Sequence, residues 1–331
     1  MPEKILKAAG GLVLVALPFI VRNDYYLHLI IYIFMYSMLG MSFSIMWKNR
    51  LITCGQAGFW AVGAYTSALL VMKAGLPFWL ALPAAGIASA LVALLVLSIA
   101  LKGGPLQFFG MTLVISFMIM EVLGAVQFFG GWQGILNLPR PTIGSFVFLS
   151  KTSYYYLALF LLSANVFIFY ALYRSRIGRA WTAIGASTSL AEMQGIDVYR
   201  YRLAAAVIGC FFAGICGSFY AHYQTVLIPN TFSFQCSIFA QMYALIGGLS
   251  YYIAGPIAGA AVMVLLPELL RPVAEFQPIV YALLIILIVV FLPGGILSIP
   301  QRFSVVRSLF AQIGAKLKGL PTSISLKNLR K

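Results

Sequence analysis

Few residues of this sequence could take part in chemistry, because only 9% of its 331 residues are charged. Glu121 is the only acidic residue deep within a long apolar segment, where a carboxylate is costly unless it is paired, hydrated or protonated. Thr112 precedes it in that segment, and Gln56 and Tyr65 lie in an earlier segment that is rich in glycine. We interpret these four residues as candidates for a polar path through a membrane. The alternatives are a protonated Glu121 hydrogen-bonded between helices and a Glu121 at the outer water boundary.

Motifs of catalytic or metal sites are absent from the sequence. It contains no H-E-x-x-H zinc motif, no G-x-S-x-G nucleophile motif and no Gly-Lys dipeptide, so a P-loop is excluded. Its four cysteines form no C-x-x-C pair. Two histidines and one intramembrane glutamate also make a poor proton relay. We therefore predict a non-catalytic chain with no metal and no cofactor, and any ATP that drives it must bind to another subunit.

The elements that must position these side chains are membrane helices. Hydrophobic residues make up 62% of the chain and its mean hydropathy is +0.97, whereas soluble domains are about 45–50% apolar and about 25% charged. This composition excludes a soluble enzyme and a disordered chain, and it argues against a nucleic-acid partner despite the net charge of +15.

We predict an all-α polytopic membrane protein, because a helix needs roughly 20 apolar residues to cross a bilayer and the sequence holds about ten such segments. The predicted segments are 8–21, 25–47, 51–72, 79–101, 105–129, 154–173, 203–226, 235–250, 252–270 and 278–299. The glycine and polar residues of 51–72 leave a broken or re-entrant segment open there.

The positions of the basic residues predict the orientation. If the N-terminus is cytoplasmic and the segments alternate, 17 of the 22 Lys and Arg residues lie inside, as expected for cytoplasmic loops. We therefore place both termini in the cytoplasm. Residues 1–300 form the predicted transmembrane domain, and 301–331 form a basic cytoplasmic tail that lies on anionic lipid headgroups or against a partner.

Two connections are long. The predicted outer one, 130–153, is rich in Gly, Pro and Asn, which predicts an ordered turn. This turn is either a plain connector or a cap over a pore or a contact with an external partner. The predicted inner one, 174–202, contains good helix formers over Ala180–Gln194, with Gly195 placed as a helix terminator. Four of its residues form a weak apolar stripe: Trp181, Ile184, Leu190 and Met193. The pattern predicts a short helix across the cytoplasmic face, where a soluble protein docks, or a loop whose charges only set topology.

Small residues in the second half of the chain are spaced four apart, which predicts close packing between helix backbones. These residues are Gly209, Ala213, Gly217, Gly255 and Gly259.

Taken in order, several short motifs resemble the permease subunits of branched-chain amino-acid ABC importers, of the LivM type. The motifs are Gly55-Gln56-Ala57-Gly58-Phe59, Gly63-Ala64-Tyr65, Thr112-Leu113 with Glu121, Arg176-Ile177-Gly178-Arg179-Ala180, Ala191 through Gly195-Ile196, Ala213-Gly214 with Gly217, Gly247-Gly248, Gly255-Pro256, Gly259-Ala260 and Phe291-Leu292-Pro293-Gly294-Gly295. The resemblance covers about residues 25–300.

This resemblance implies a type II ABC importer permease fold in a bacterial or archaeal inner membrane. It implies that 180–196 is a coupling helix seated on a cytoplasmic ATPase, and that a second permease and an external substrate-binding protein complete the transporter. The coupling residues would be Arg179, Ala191, Glu192, Gly195 and Ile196. The implied substrate is a branched-chain or other hydrophobic amino acid. Urea or short amides remain open within the family, and an ion-coupled secondary transporter remains open outside it.

Overall fold

The structure is a computed structural model that describes residues 14–19, 23–143, 146–271, 277–292 and 294–298. Of the first predicted segment it describes only a short helical stretch over 14–19, and the basic tail 301–331 lies outside the described residues.

Helices dominate the described chain, as expected where lipid leaves no water to satisfy backbone groups. In chain order the helices are α1 (Asp24–Trp47), α2 (Gln56–Met72), α3 (Phe78–Ala100), α4 (Pro105–Ala125), α5 (Lys151–Arg174), α6 (Arg176–Ala186), α7 (Thr188–Met193), α8 (Val198–Gln224), α9 (Phe234–Gly247), α10 (Ala254–Leu269) and α11 (Gln277–Phe291). Two short antiparallel strands, β1 (Thr142–Ile143) and β2 (Phe146–Val147), lie between α4 and α5. Single turns of 3-10 helix occupy Gln127–Phe129, Gly131–Gln133, Pro229–Phe232 and Ile296–Ser298.

Among the described residues, five helices are long and apolar enough to cross a membrane: α1, α3, α4, α5 and α8. Helices α2, α9, α10 and α11 coincide with four more predicted segments but have only 17, 14, 16 and 15 residues. At 1.5 Å per residue these four are about 21–26 Å long, which is shorter than a hydrocarbon core of about 30 Å.

Side-chain caps fix the starts of three long helices. Asn23, Ser150 and Asp197 each accept a hydrogen bond from a backbone N–H in the first turn of α1, α5 and α8. These short polar side chains satisfy donors that have no partner within the helix.

Helix α8 lies at the centre of the bundle and packs against α1, α2 and α3. A Cβ atom on Gly209 would lie 2.7 Å from the carbonyl oxygen of Ser42 in α1, and one on Gly217 would overlap the backbone of Trp60 in α2. Ala213, between them, is fully buried. The small residues that the sequence marks are therefore points where helix backbones approach each other.

The α9–α10 pair repeats this arrangement. Added Cβ atoms on Gly255 and Gly259 would overlap the backbones of Gly248 and Tyr243. The pair packs on α1, which joins it to the rest of the bundle.

The connection between α4 and α5 is ordered along its described part. Ile135 exchanges two backbone hydrogen bonds of 2.8 Å with Leu227, in the segment that follows α8. Further on, the indole Nε1 of Trp79 donates to the carbonyl oxygen of Thr142 across 2.9 Å. The described part of this connection is therefore ordered, and both a plain connector and a cap stay predictions for it.

The predicted single helix over 180–194 is wrong in one respect. The chain forms two helices, α6 and α7, which are separated at Ser187. The Ser187 backbone is extended and its side chain accepts a hydrogen bond from the N–H of Leu190, so that it caps α7. Serine and threonine hydroxyls compete with helical hydrogen bonds in this way, and the break turns the second half of the predicted apolar stripe outward.

Candidate functional site

Residues 51–55 are not helical, although four of the five are buried. Side chains of other helices supply the hydrogen bonds that this backbone needs. Cys54 N–H donates to Thr112 Oγ1 in α4 across 3.1 Å, and the amide of Gln241 in α9 donates to the carbonyl oxygen of Thr53 across 3.1 Å. Unwound backbone within a membrane bundle requires such partners, so α2 starts in a built polar junction.

Gln56 and Thr112 both belong to this junction. Gln56 is fully buried, and its Oε1 accepts a hydrogen bond of 3.1 Å from Ser42 Oγ in α1. Thr112 accepts from Cys54 and donates to the carbonyl oxygen of Phe109 across 2.9 Å. Both side chains already hold the start of α2, which limits what they can offer to a solute in this conformation.

Tyr65 lines a cavity of about 420 Å³ between α2, α3 and α4. The other lining residues are almost all apolar: Val62, Thr66, Leu69, Val92, Val96, Ile115, Met118, Ile119, Val122, Leu123 and Phe129. The Tyr65 hydroxyl is buried and has no hydrogen-bond partner among the described residues. An unpaired buried hydroxyl costs about 1–3 kcal/mol, and because Tyr65 is only 1% exposed its hydroxyl does not open into the cavity in this conformation.

Glu121 lies apart from the other three candidates. It is exposed on the outer face of α4, beside the exposed apolar side chains of Val114, Phe117 and Met118. Within the described ranges it forms no ion pair. The four predicted path residues are therefore not one cluster: Gln56 and Thr112 hold the junction, Tyr65 faces the cavity, and Glu121 faces outward.

The segment between α5 and α8 carries the five predicted coupling residues. Ile196 N–H donates to the carbonyl oxygen of Ala191, and Gly195 N–H donates to that of Glu192. This pair of bonds, with Gly195 at a φ of +78°, ends α7 as a Schellman motif. Ala191 is buried and Ile196 packs on it, whereas Glu192 and Arg179 are exposed.

Two large apolar side chains of α7 point outward. The exposed fraction is 60% for Leu190 and 83% for Met193. By contrast, Trp181 and Ile184 in α6 are fully buried. Helix α7 therefore presents an apolar edge beside Glu192.

Basic side chains fix this segment to the bundle. Arg202 in α8 donates from Nε to the carbonyl oxygen of Asn49 across 3.3 Å and from Nη2 to Thr188 Oγ1 across 3.2 Å. Arg50 donates to the carbonyl oxygen of Gly185 across 2.9 Å. From the sequence, these arginines predict only the topology, and their structural role is not apparent. The positive φ of Arg50, +59°, is a signal that only the structure gives.

Histidine 222 was also missed. Its Nδ1 lies 2.8 Å from the carbonyl oxygen of Pro139 and its Nε2 lies 3.0 Å from Ser67 Oγ. It therefore links the α4–α5 connection to α2 and α8. No group of three or more His, Cys, Asp or Glu residues in the described ranges could hold a metal ion.

Comparison with known proteins identifies the family of this chain. Residues 25–292 match the family described as branched-chain amino acid transport system / permease component. The chain is 28% identical over 326 residues to the high-affinity branched-chain amino acid transport system permease protein LivM of Salmonella typhimurium, an alignment that covers 90% of this chain and 76% of the relative.

It is 29% identical over 294 residues to LivM of Escherichia coli, with 80% of this chain and 68% of the relative covered. A shorter match, 28% identical over 145 residues, covers 43% of this chain and 45% of the permease protein LivH of Escherichia coli. No solved structure matches the chain. Because the family match spans most of the sequence, the chain belongs to the family of branched-chain amino acid transport system permease components.

Proposed function

We propose that this chain is the membrane permease subunit of an ATP-driven importer for branched-chain or other hydrophobic amino acids. It resides in the inner membrane of a bacterium or archaeon and hydrolyses no ATP itself. The observation that carries the proposal is the α6–α7 segment, a short helical element that exposes an apolar edge and is hydrogen-bonded to the turn after α1 and to α8.

A cytoplasmic ATPase would dock on α7. Leu190 and Met193 offer apolar area, and Glu192 beside them offers a charge that sets the orientation of a partner. Motion of the ATPase would then pass to the end of α1 through Arg50 and to α8 through Arg202, because the bonds of Arg50 to Gly185 and of Arg202 to Thr188 hold the segment against both. Rigid-body movement of helices is how such a segment alternates access to a path.

The second permease would cover the outer face of α4. A carboxylate that faces lipid is costly, so Glu121 on this apolar face favours either contact with a partner subunit or a water-filled path between two subunits.

The basic tail would lie on the membrane surface. Residues 301–331 include no acidic residue, which supports contact with anionic lipid.

The substrate class is favoured by the cavity at Tyr65. An almost wholly apolar lining suits the hydrocarbon side chain of an amino acid better than urea, whose surface is entirely polar. An external binding protein would deliver the amino acid at the ordered α4–α5 connection.

The docking step is tested by co-purification of the permease with its ATPase. Leu190→Asp and Met193→Asp place charges on the apolar edge and should abolish retention of the ATPase. Ile177→Asp is the matched control, since Ile177 is exposed on α6 but lies outside α7. Retention of the ATPase by both α7 variants would contradict the docking surface.

The energy source and substrate need a separate experiment. In proteoliposomes loaded with ATP and supplied with the binding protein, leucine uptake should persist when a proton ionophore is added. Uptake that collapses with the ionophore at constant ATP would favour an ion-coupled transporter. Unlabelled urea in excess should not compete with labelled leucine, whereas isoleucine and valine should.

A further inference from the structure

A polar pocket of about 420 Å³ lies at the end of α1, between the last turn of α6 and the connection that joins α9 to α10. Lys48 and Arg50 line it from the turn after α1, Thr182 lines it from α6, and Ser250 and Tyr252 line it from the α9–α10 connection. Three separate parts of the chain therefore meet around two positive charges.

Lys48 is held in this pocket by aromatic rings. Its Nζ lies 4.5 Å from the ring centre of Tyr173 and 4.6 Å from that of Tyr252, distances at which the ring faces attract a cation. Burial lowers the pKa of the Lys48 ammonium from its ordinary value, because the charged form loses hydration. A nearby anion would offset that loss.

Arg50 is fixed in a different way. Its Nε donates a hydrogen bond to the carbonyl oxygen of Gly185. Its backbone has a φ of +59°, a conformation that residues other than glycine adopt rarely. Within the described ranges, neither Arg50 nor Lys48 forms an ion pair. The pocket thus holds two oriented cations without a compensating acid.

We propose that this pocket binds a phosphate group, and that the phosphate belongs to the headgroup of an anionic phospholipid. Arg and Lys are the side chains that suit phosphate, and the Ser250 hydroxyl adds a donor. The pocket lies at the end of a membrane-crossing helix, at the level where headgroups lie, and basic pockets between helices bind such headgroups. Trp47 and Tyr252 in its lining are residues typical of the membrane–water interface.

A bound headgroup would join α1, α6 and the α9–α10 connection through one anion. Because Gly185 lies next to the coupling helix α7, lipid in the pocket would make the α6–α7 segment more rigid. This effect on transport rests on the proposed function, whereas the binding itself does not.

The test measures lipid binding by the full chain alone, without ATPase or transport. The purified protein is reconstituted into vesicles of phosphatidylcholine with or without phosphatidylglycerol, extracted gently, and its bound lipid is counted by native mass spectrometry. Lys48→Gln and Arg50→Gln should each reduce bound phosphatidylglycerol about fivefold. Lys102→Gln is the matched control, because Lys102 is exposed outside the pocket, and it should leave binding unchanged. Lys48→Arg should retain binding, since it keeps the charge, which shows that the loss in Lys48→Gln is not misfolding.

A second arm uses inorganic phosphate with protein in a neutral detergent. If phosphate raises the unfolding temperature and no phosphatidylglycerol is retained, a free phosphate is the ligand and the lipid assignment is overturned. Equal loss of lipid in Lys102→Gln would also overturn it, because diffuse attraction would then explain the binding. Unchanged bound lipid in both Lys48→Gln and Arg50→Gln would overturn it as well. If the Lys48→Gln and Arg50→Gln variants lose phosphatidylglycerol but leucine uptake does not depend on ATP, only the proposed function is refuted and the lipid site stands.

Discussion

Arg50 Nε lies 2.9 Å from the carbonyl oxygen of Gly185, to which it donates a hydrogen bond. The acceptor is in the last turn of α6, where backbone carbonyls lack partners within the helix. A larger residue would not fit at position 185, because a Cβ on Gly185 would overlap the carbonyl oxygen of Lys48. The turn after α1 and the end of α6 are therefore in direct backbone contact, and the hydrogen bond from the Arg50 guanidinium stabilises that contact.

Replacing Arg50 with Lys should weaken coupling without removing the positive charge. The ammonium of Lys lacks the planar fork of donors, so the bond to Gly185 is lost, and a charged hydrogen bond of this kind contributes about 1.5–3 kcal/mol. We expect fewer leucine molecules transported per ATP hydrolysed in proteoliposomes, with bound phosphatidylglycerol retained. Lys102→Arg serves as the control, and an unchanged ratio in Arg50→Lys would show that the contact carries no motion.

A methyl group on Gly217 should strongly destabilise the bundle. Its Cβ would overlap the backbone of Trp60, and overpacking typically costs about 1–3 kcal/mol. Gly110→Ala is the matched control in α4, because nothing lies within 4 Å of a Cβ there. Thermal unfolding in detergent should show a lowered midpoint for Gly217→Ala and an equal or higher one for Gly110→Ala. Equal midpoints in both variants would mean that α2 and α8 can separate at little cost.

His222→Phe should release the α4–α5 connection while keeping an aromatic ring packed on Phe78. The variant loses the contact with Pro139, so hydrogen exchange over residues 131–143 should accelerate. Ser67→Ala removes the Nε2 partner of His222 and the acceptor of Ser218 but not the contact with Pro139, and it should leave exchange in the connection slow. If Ser67→Ala accelerates exchange as much as His222→Phe, the connection is held by the α2 contact instead.

Much of the helical bundle could be predicted from apolar runs and small residues, since Gly209 and Gly217 lie where four-residue spacing predicts close packing. The single-helix prediction over Ala180–Gln194 was wrong because Ser187 caps a new helix. Helix α6 before the break is held to α8 by a hydrogen bond from Trp181 to the carbonyl oxygen of Tyr201. The roles of Arg50 and His222 could not be predicted, because their partners lie 135 and 83 residues away.

The outward position of Glu121 was within reach of the sequence. Residues nine apart differ by about 180° around a helix of 3.6 residues per turn, so Glu121 must oppose Thr112, which is buried. One path that includes both residues would need two opposite faces of α4. The sequence supplies angles within a helix but not which face the neighbouring helices cover.

Glu121→Leu should leave the isolated chain as stable as the original, or slightly more stable, because the residue is exposed and has no ion pair in the described ranges. Surface changes of this kind usually alter stability by at most about 0.5 kcal/mol. Leucine uptake should nevertheless fall, and Glu121→Gln should retain more uptake because it keeps a polar group. Val114→Leu on the same face should transport normally. Full uptake in Glu121→Leu would remove Glu121 from the path and from the subunit contact.

Asn165→Leu should raise the stability of the chain. Asn165 is buried in α5, and among the described residues both its amide nitrogen and its oxygen lack a hydrogen-bond partner. Leaving a buried polar group unpaired costs about 1–3 kcal/mol, whereas an apolar side chain with the same branching avoids that cost and gains burial. Thermal unfolding in detergent should therefore show a higher midpoint for Asn165→Leu. Asn165→Asp, which places a charge at the same depth, should lower it. A lower midpoint in both variants would show that the amide has a partner in the assembled bundle, such as a bound water, and that α5 depends on it.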